Sequence, residues 1–217
     1  MQLGFSGSKA MRSETERGLE LGYRKQSGQR WSVDVSGYWN YYARLRVLAG
    51  PLFPELTFRN GSPVLNLPMT AVNQGVGRSY GGEIWGYWQV RPRWRLTPSY
   101  SYLNETQWLP TSTLAQYAWD GRPAVIGHQG FIRSQHDLAK SIQLDLMLRA
   151  RSHDRSWDLP GVLLADARLA WRPAHGGELS VALENLLDRR VLECYSEGPT
   201  PAIPVRRTFV LKWTQRF

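Results

Sequence analysis

Four histidines, one cysteine and a scatter of carboxylates and arginines are what this chain of 217 residues has to do chemistry with. His128, His136, His153 and His175 show no HExxH-type or otherwise paired spacing that would bring two imidazoles to one metal. They fall at strand ends and turns, where a structural or solvated role suits them. The single cysteine, Cys194, excludes an internal disulfide framework and a thiolate cluster. It lies in an expected external loop, as a passive thiol. Neither a GxSxG elbow nor a P-loop occurs. Asp34, Glu83, Asp145, Asp166 and Glu184 are interleaved with Arg149 and Arg168. Two such carboxylates could serve as a glycosidase-like acid/base dyad, but a charge ladder between neighbouring strands is the simpler account. No catalytic residue, metal or cofactor is called for, and the chain reads as a non-enzyme.

Ligand contact is the other chemistry on offer. Phe53, Phe58, Arg59, Trp108, Tyr117, Trp119, Arg122 and Trp157 sit in segments that read as loops. Trp108, Tyr117, Trp119 and Arg122 are the candidates for substrate binding, since aromatics and arginines suit an anionic, catecholate-like chelate. Loop packing or a membrane-interface role explains the same residue types. No ligand can be named from them.

The elements that would hold these residues are strands. Trp31, Val33, Val35, Gly37, Trp39 and Tyr41 alternate with Ser32, Asp34, Ser36, Tyr38, Asn40 and Tyr42, the period-two pattern of a strand with one apolar face. Leu19, Leu21 and Tyr23 alternate in the same way before it. Ile84 with Trp88, Tyr100 with Tyr102, Leu144 to Leu148 and Ala165 to Trp171 continue the pattern, as does Leu179 to Leu183. Phe209, Leu211, Trp213 and Phe217 close the series in phase. Counting Ile126–Gln135 as the fifth, about nine strands result. Pro98 breaks one rule, because inside a strand it removes a ladder donor.

Connection lengths give a second, independent pattern. Short links at about Gln26–Arg30, Arg91–Arg93, His136–Ser141 and Pro173–Gly177 alternate with long ones. The long ones are about Val47–Arg78, Glu105–Gly127, Ser152–Pro160 and Leu187–Pro204. Outer-membrane barrels alternate this way, with tight periplasmic turns and long external loops. The mean hydropathy of −0.42 and the lack of any run of ~18 apolar residues exclude a spanning helix. They leave spanning strands open, since a strand shows lipid only every second side chain. Ten Trp and ten Tyr suit interfacial girdles. A soluble glycan-binding β-sandwich would also use aromatics and alternation, and stays open at this point. The net charge of +9 is spread without a basic block, which speaks for strand ends, loops and a barrel lining rather than nucleic acid. Basic residues at an outer rim would also meet lipopolysaccharide phosphates.

Several segments resemble the TonB-dependent outer-membrane receptors. Ser13-Glu14-Thr15 followed by Arg17-Gly18-Leu19-Glu20-Leu21-Gly22 is similar to that family's SET…GxExG strand. Ser79-Tyr80-Gly81-Gly82-Glu83 resembles its YGxE strand, and Trp94-Arg95-Leu96 with Ser99-Tyr100-Ser101-Tyr102-Leu103 resembles the strand after it. His128-Gln129 with Arg133-Ser134, then Glu184-Asn185-Leu186-Leu187-Asp188, then Trp213…Phe217 follow in the family's order. The resemblance implies an antiparallel transmembrane β-barrel segment, all-β, with about nine of 22 strands. It implies uptake of a scarce nutrient such as a ferric siderophore or cobalamin, with energy from the TonB complex through an N-terminal plug. Phe209, Leu211, Trp213 and Phe217 would carry the signal read by the barrel-assembly machinery. The sequence departs from the family in holding neither plug nor TonB box. The N-terminal residues also lack a signal-peptide pattern, so the chain is expected to be a fragment, with 1–217 the C-terminal portion of the barrel and residues 1–12 a poorly ordered or irregular stub within it. A plug-less passive channel, an adhesin-type barrel or the remnant of a broken gene would account for the same features. The expected location is the outer membrane, with the C-terminus periplasmic and the long loops extracellular.

Overall fold

The computed structural model describes residues 2–51, 53–109, 127–154, 159–173, 176–187, 190–192 and 204–215. Eleven strands form in chain order: β1 (Gln2–Gly7), β2 (Thr15–Ser27), β3 (Trp31–Ala49), β4 (Glu55–Arg59), β5 (Ser62–Arg91) and β6 (Trp94–Trp108). After these come β7 (His128–Ala139), β8 (Ile142–Arg151), β9 (Val162–Trp171), β10 (Gly177–Glu184) and β11 (Thr208–Gln215). They belong to one sheet, ordered β11-β10-β9-β8-β7-β6-β5-β3-β2, with β1 and β4 both pairing with β5 off that path. Nine strands on the path match the expected number. A β-sandwich needs two packed sheets, and the described strands make only one.

By contact density the chain divides into two compact units. The first comprises Met1–Glu20, Tyr38–Tyr80 and Asn104–Pro123. Here two expectations are corrected. The stretch Val47–Arg78, expected as a long loop, is mostly strand: β3 runs on to Ala49, and β4 and β5 form a hairpin. Asn60 and Gly61 sit between them, both with positive φ (49° and 76°). An Asn-Gly pair adopts that conformation at little cost and matches the twist of the flanking strands. The second correction concerns residues 1–12, which contain β1 rather than an irregular stub. β1 pairs parallel with β5, Phe5 opposite Met69. Side chains tie the same unit together. Glu14 Oε1 accepts the backbone N–H of Arg46 at 2.6 Å. Asn73 accepts from the N–H of Arg12 at 2.6 Å and donates to the carbonyl of Arg44 at 2.7 Å. Arg44 itself has a φ of 60°.

The second unit comprises Leu21–Gly37, Gly81–Leu103 and Ala124–Phe217. Its short connections follow the expected rhythm, with Gly28 (φ 54°) in the first turn and Lys140-Ser141 between β7 and β8. Pro98 is absorbed without interrupting β6, opposite Ile132 of β7. Leu103 N–H bonds to Gly127 on the β7 side, so by alternation the donor missing at Pro98 faces β5. There Gly86 makes the room: a Cβ on it would lie 3.2 Å from the proline ring. One ladder bond is lost, and the strand survives.

Candidate functional site

Register fixes what each face of the second unit presents. On β8 and β9, Asp145 lies opposite Arg168 and Met147 opposite Asp166, while Leu144, Leu146 and Leu148 lie opposite Leu169, Ala167 and Ala165. The same parity runs through β6, β7, β10 and β11. It puts Arg95, Arg133, Asp137, Glu178 and Lys212 on one face. Leu96, Ile132, Val181, Leu211 and Trp213 fall on the other. One face is therefore ionic and the other apolar.

The ionic face is a ladder of one connected chain of ion pairs and three separate pairs. Asp145 receives Arg133 and Arg168, each at 3.3 Å through Oδ2. Arg168 also reaches Glu178, which Arg172 holds at 2.8 Å, and Arg172 donates to Gln143 at 3.1 Å. Arg149 pairs with Asp166 at 3.0 Å, and Arg95 with Asp137 at 2.9 Å. Arg24 pairs with Asp34. Most of these pairs are half-exposed, so each contributes ~1 kcal/mol or less. Asp145 differs, being only 6% exposed. Such a buried carboxylate is tolerated because two guanidiniums face it. The ladder accounts for Asp34, Asp145 and Asp166, and for Arg149 and Arg168. Among the described residues Glu83 and Glu184 join no ion pair. Among the same residues, no group of His, Cys, Asp and Glu is arranged to hold a metal ion.

The apolar face inverts the usual burial order. Leu21, Tyr23, Ile84, Trp88, Ile132, Leu146, Leu148, Leu169 and Leu211 are exposed, while among the described residues the buried apolar cluster of the unit is Val162, Leu164 and Val191. So large an exposed apolar surface marks contact with a membrane or a partner. Polar aromatics frame it. Near the short turns, Trp94 stacks on His136 at 5.6 Å and donates to Ser134 Oγ at 3.0 Å. At the other end of β7, His128 Nδ1 meets Tyr100 OH at 2.7 Å, and its ring lies 4.8 Å from that of Tyr102. The two histidines thus anchor aromatic groups. They are eight residues apart, about 27 Å along a strand at ~3.4 Å per residue. At a tilt of ~40° that spans about 21 Å, close to the ~25 Å apolar band of outer-membrane barrels.

Of the substrate-binding candidates, Trp108 ends β6, exposed, with the Arg78 guanidinium 5.2 Å from its ring. Tyr117, Trp119 and Arg122 lie outside the described residues. Phe209, Leu211 and Trp213 share the exposed apolar face as expected, and Phe217 lies outside the described residues. Asn185, named in the sequence only as part of a motif, has a structural role. It is buried, at φ 54°, its N–H donating to Asp166 Oδ1 at 2.9 Å. This is the physical content of the Asn185-Leu186 motif. Asn tolerates the left-handed region, and the N–H it aims at Asp166 joins the chain reversal after β10 to the ladder.

No protein-family model matches the chain, and no curated protein matches it by sequence. Solved structures do. The FrpB iron transporter from Neisseria meningitidis superposes with a TM-score of 0.73 at 15% identity, covering 98% of this chain and 33% of its own. The ferric-catecholate import receptor Fiu from Escherichia coli K12 gives 0.71 at 16% identity, covering 95% and 28%. For the ferric yersiniabactin uptake receptor FyuA from Yersinia pestis the values are 0.66, 16%, 92% and 29%. The fold is that of a TonB-dependent receptor barrel. The chain spans about a third of the length of these receptors, all of which are described as transporters or uptake receptors rather than enzymes.

Proposed function

We propose that the chain forms part of the wall of an outer-membrane uptake receptor. Its apolar face meets lipid, and its ionic face lines the interior. The single observation that carries this reading is the exposed apolar face framed by aromatic-histidine pairs at both ends of β7, on a sheet with a receptor-barrel fold. The short turns then lie in the periplasm and the long connections outside, near lipopolysaccharide. Phe209, Leu211 and Trp213 would be read by the barrel-assembly machinery together with Phe217. The cargo is a scarce nutrient, a ferric siderophore or cobalamin. Trp108, Tyr117, Trp119 and Arg122 contact it from the outer side, and a TonB-coupled plug supplies the energy.

Cysteine labelling tests the arrangement. In a Cys194→Ser background, Gln29→Cys marks a short turn and Glu55→Cys the external hairpin. A membrane-impermeant maleimide applied to intact cells should label Glu55→Cys and spare Gln29→Cys. The reverse pattern would overturn the orientation. Recovery of both variants as soluble protein without detergent would sink the membrane reading.

A further inference from the structure

At the short-turn end of the ionic face is a cavity of about 430 Å³, whose lining includes Arg93, Arg95, Lys140, Arg172, Asp137 and Gln143. We infer that this cavity is a binding site for a phosphate-class oxyanion.

The lining holds four cationic residues and one carboxylate, Asp137, which is taken. Arg172 is paired outside the lining with Glu178, so Arg93 and Lys140 supply the surplus charge. Arg95 Nη2 donates to both oxygens of Asp137, at 2.9 and 3.2 Å. The same arginine has a buried Nε with no hydrogen-bond partner among the described residues. Arg172 is held in place from behind, its Nε on Glu178 at 2.8 Å and its Nη2 on Gln143 at 3.1 Å. With Gln143 Oε1 accepting that bond, its amide N–H groups remain for a ligand. Lys140 and Arg93 form no ion pair among the described residues. Backbone bonds fix the frame: Asp137 N–H to Arg93 O at 2.9 Å, and Arg172 N–H to Ser141 O at 2.8 Å.

The donors come from several sides: the β5–β6 turn and β6, the β7–β8 turn and β8, and the end of β9. A planar carboxylate satisfies one guanidinium edge. A tetrahedral dianion offers acceptors in several directions, and its charge offsets much of the surplus of cations. Neither the apolar face nor the external candidates bear on this site; only the choice of detergent rests on the membrane reading.

The test uses the full chain in detergent micelles, with unchanged circular dichroism as the condition for each variant. Inorganic phosphate, glutarate and a short-chain phosphatidic acid are titrated by calorimetry at constant ionic strength. Phosphate should bind, and glutarate at least fivefold more weakly. Lys140→Gln and Arg172→Gln should each weaken phosphate about tenfold. Arg149→Gln, elsewhere on the ionic face, should leave binding unchanged. Tighter binding of the phosphatidic acid assigns the group to a lipid headgroup, and equal binding assigns it to free phosphate. The proposal is overturned if glutarate matches phosphate, or if Arg149→Gln weakens phosphate as much as Lys140→Gln does. The first result would point to acidic side chains as the occupant, and the second to net charge alone.

Discussion

Leu148 and Met147 are neighbours on β8 that face opposite ways, and the same substitution at each should have opposite consequences. Leu148 pairs with Ile132 at the midpoint between His128 and His136. It is 43% exposed, in the middle of the apolar face. If that face meets hydrocarbon, Leu148→Arg puts a guanidinium near the bilayer midplane, which costs ~2–4 kcal/mol in transmembrane barrels. At 1.4 kcal/mol per tenfold, that is roughly 30- to 700-fold in the folding equilibrium. Met147 lies on the ionic face, with Asp166 directly opposite on one side and Arg133 on the other. Met147→Arg gains an opposite charge and a like charge together, so its net effect should stay within ~1 kcal/mol. Guanidinium titrations of the chain in short-chain phosphatidylcholine vesicles, followed by tryptophan emission, measure both. The reasoning is refuted if Leu148→Arg is tolerated as well as Met147→Arg, because the apolar face would then be meeting water. It is equally refuted if both variants lose the same amount.

Three further outcomes follow from the packing. Asp145→Ala should cost about 1–3 kcal/mol in the same titration, because Arg133 and Arg168 lose a buried acceptor. The double variant Asp145→Leu/Arg168→Leu should recover part of that loss. Gly177→Ala should displace Trp213, whose ring occupies the space a Cβ would take; overpacking of this kind costs ~1–3 kcal/mol. A shifted emission maximum, absent when the substitution is repeated in a Trp213→Phe background, would show it. Asn185→Ala should cost more than Asn185→Gly, since glycine keeps the left-handed backbone while alanine strains it. Thermal unfolding of the two variants side by side gives the order.

How much of this was legible in the sequence depends on which signal carried it. Alternation from Trp31 to Tyr42 and from Leu179 to Glu184 placed strands and faces correctly, because a period of two is a local property. The ladder was half-visible: Asp145 and Arg168 were flagged, but their direct opposition depends on register, which one strand alone does not contain. Glu178 and Arg172 were missed for that reason. The Val47–Arg78 loop was a misreading of a signal that was present. Asn60-Gly61 is a hairpin pair, and Pro63 and Pro68 follow it inside β5, where a proline is unusual. β1 was not legible, since its pairing is parallel and long-range, and Leu3 and Phe5 alone are too short a run to mark a strand. Arg95 and Arg172 come together at the oxyanion cavity only through three consecutive pairings between β6 and β9.

At the two ends of the strand order lie β2 and β11, and every described side chain on both is exposed. Among the described residues each has a neighbour on one side alone, so its other row of amides and carbonyls is open to pairing, a valency of two. A unit of that kind is a monomer in the polymer chemist's sense. If β11 of one copy joins β2 of the next, growth proceeds head to tail, closing into a ring where the accumulated twist allows and running on as a ribbon where it does not. Protein concentration, and the order in which edges meet, would then decide between a wall and an aggregate.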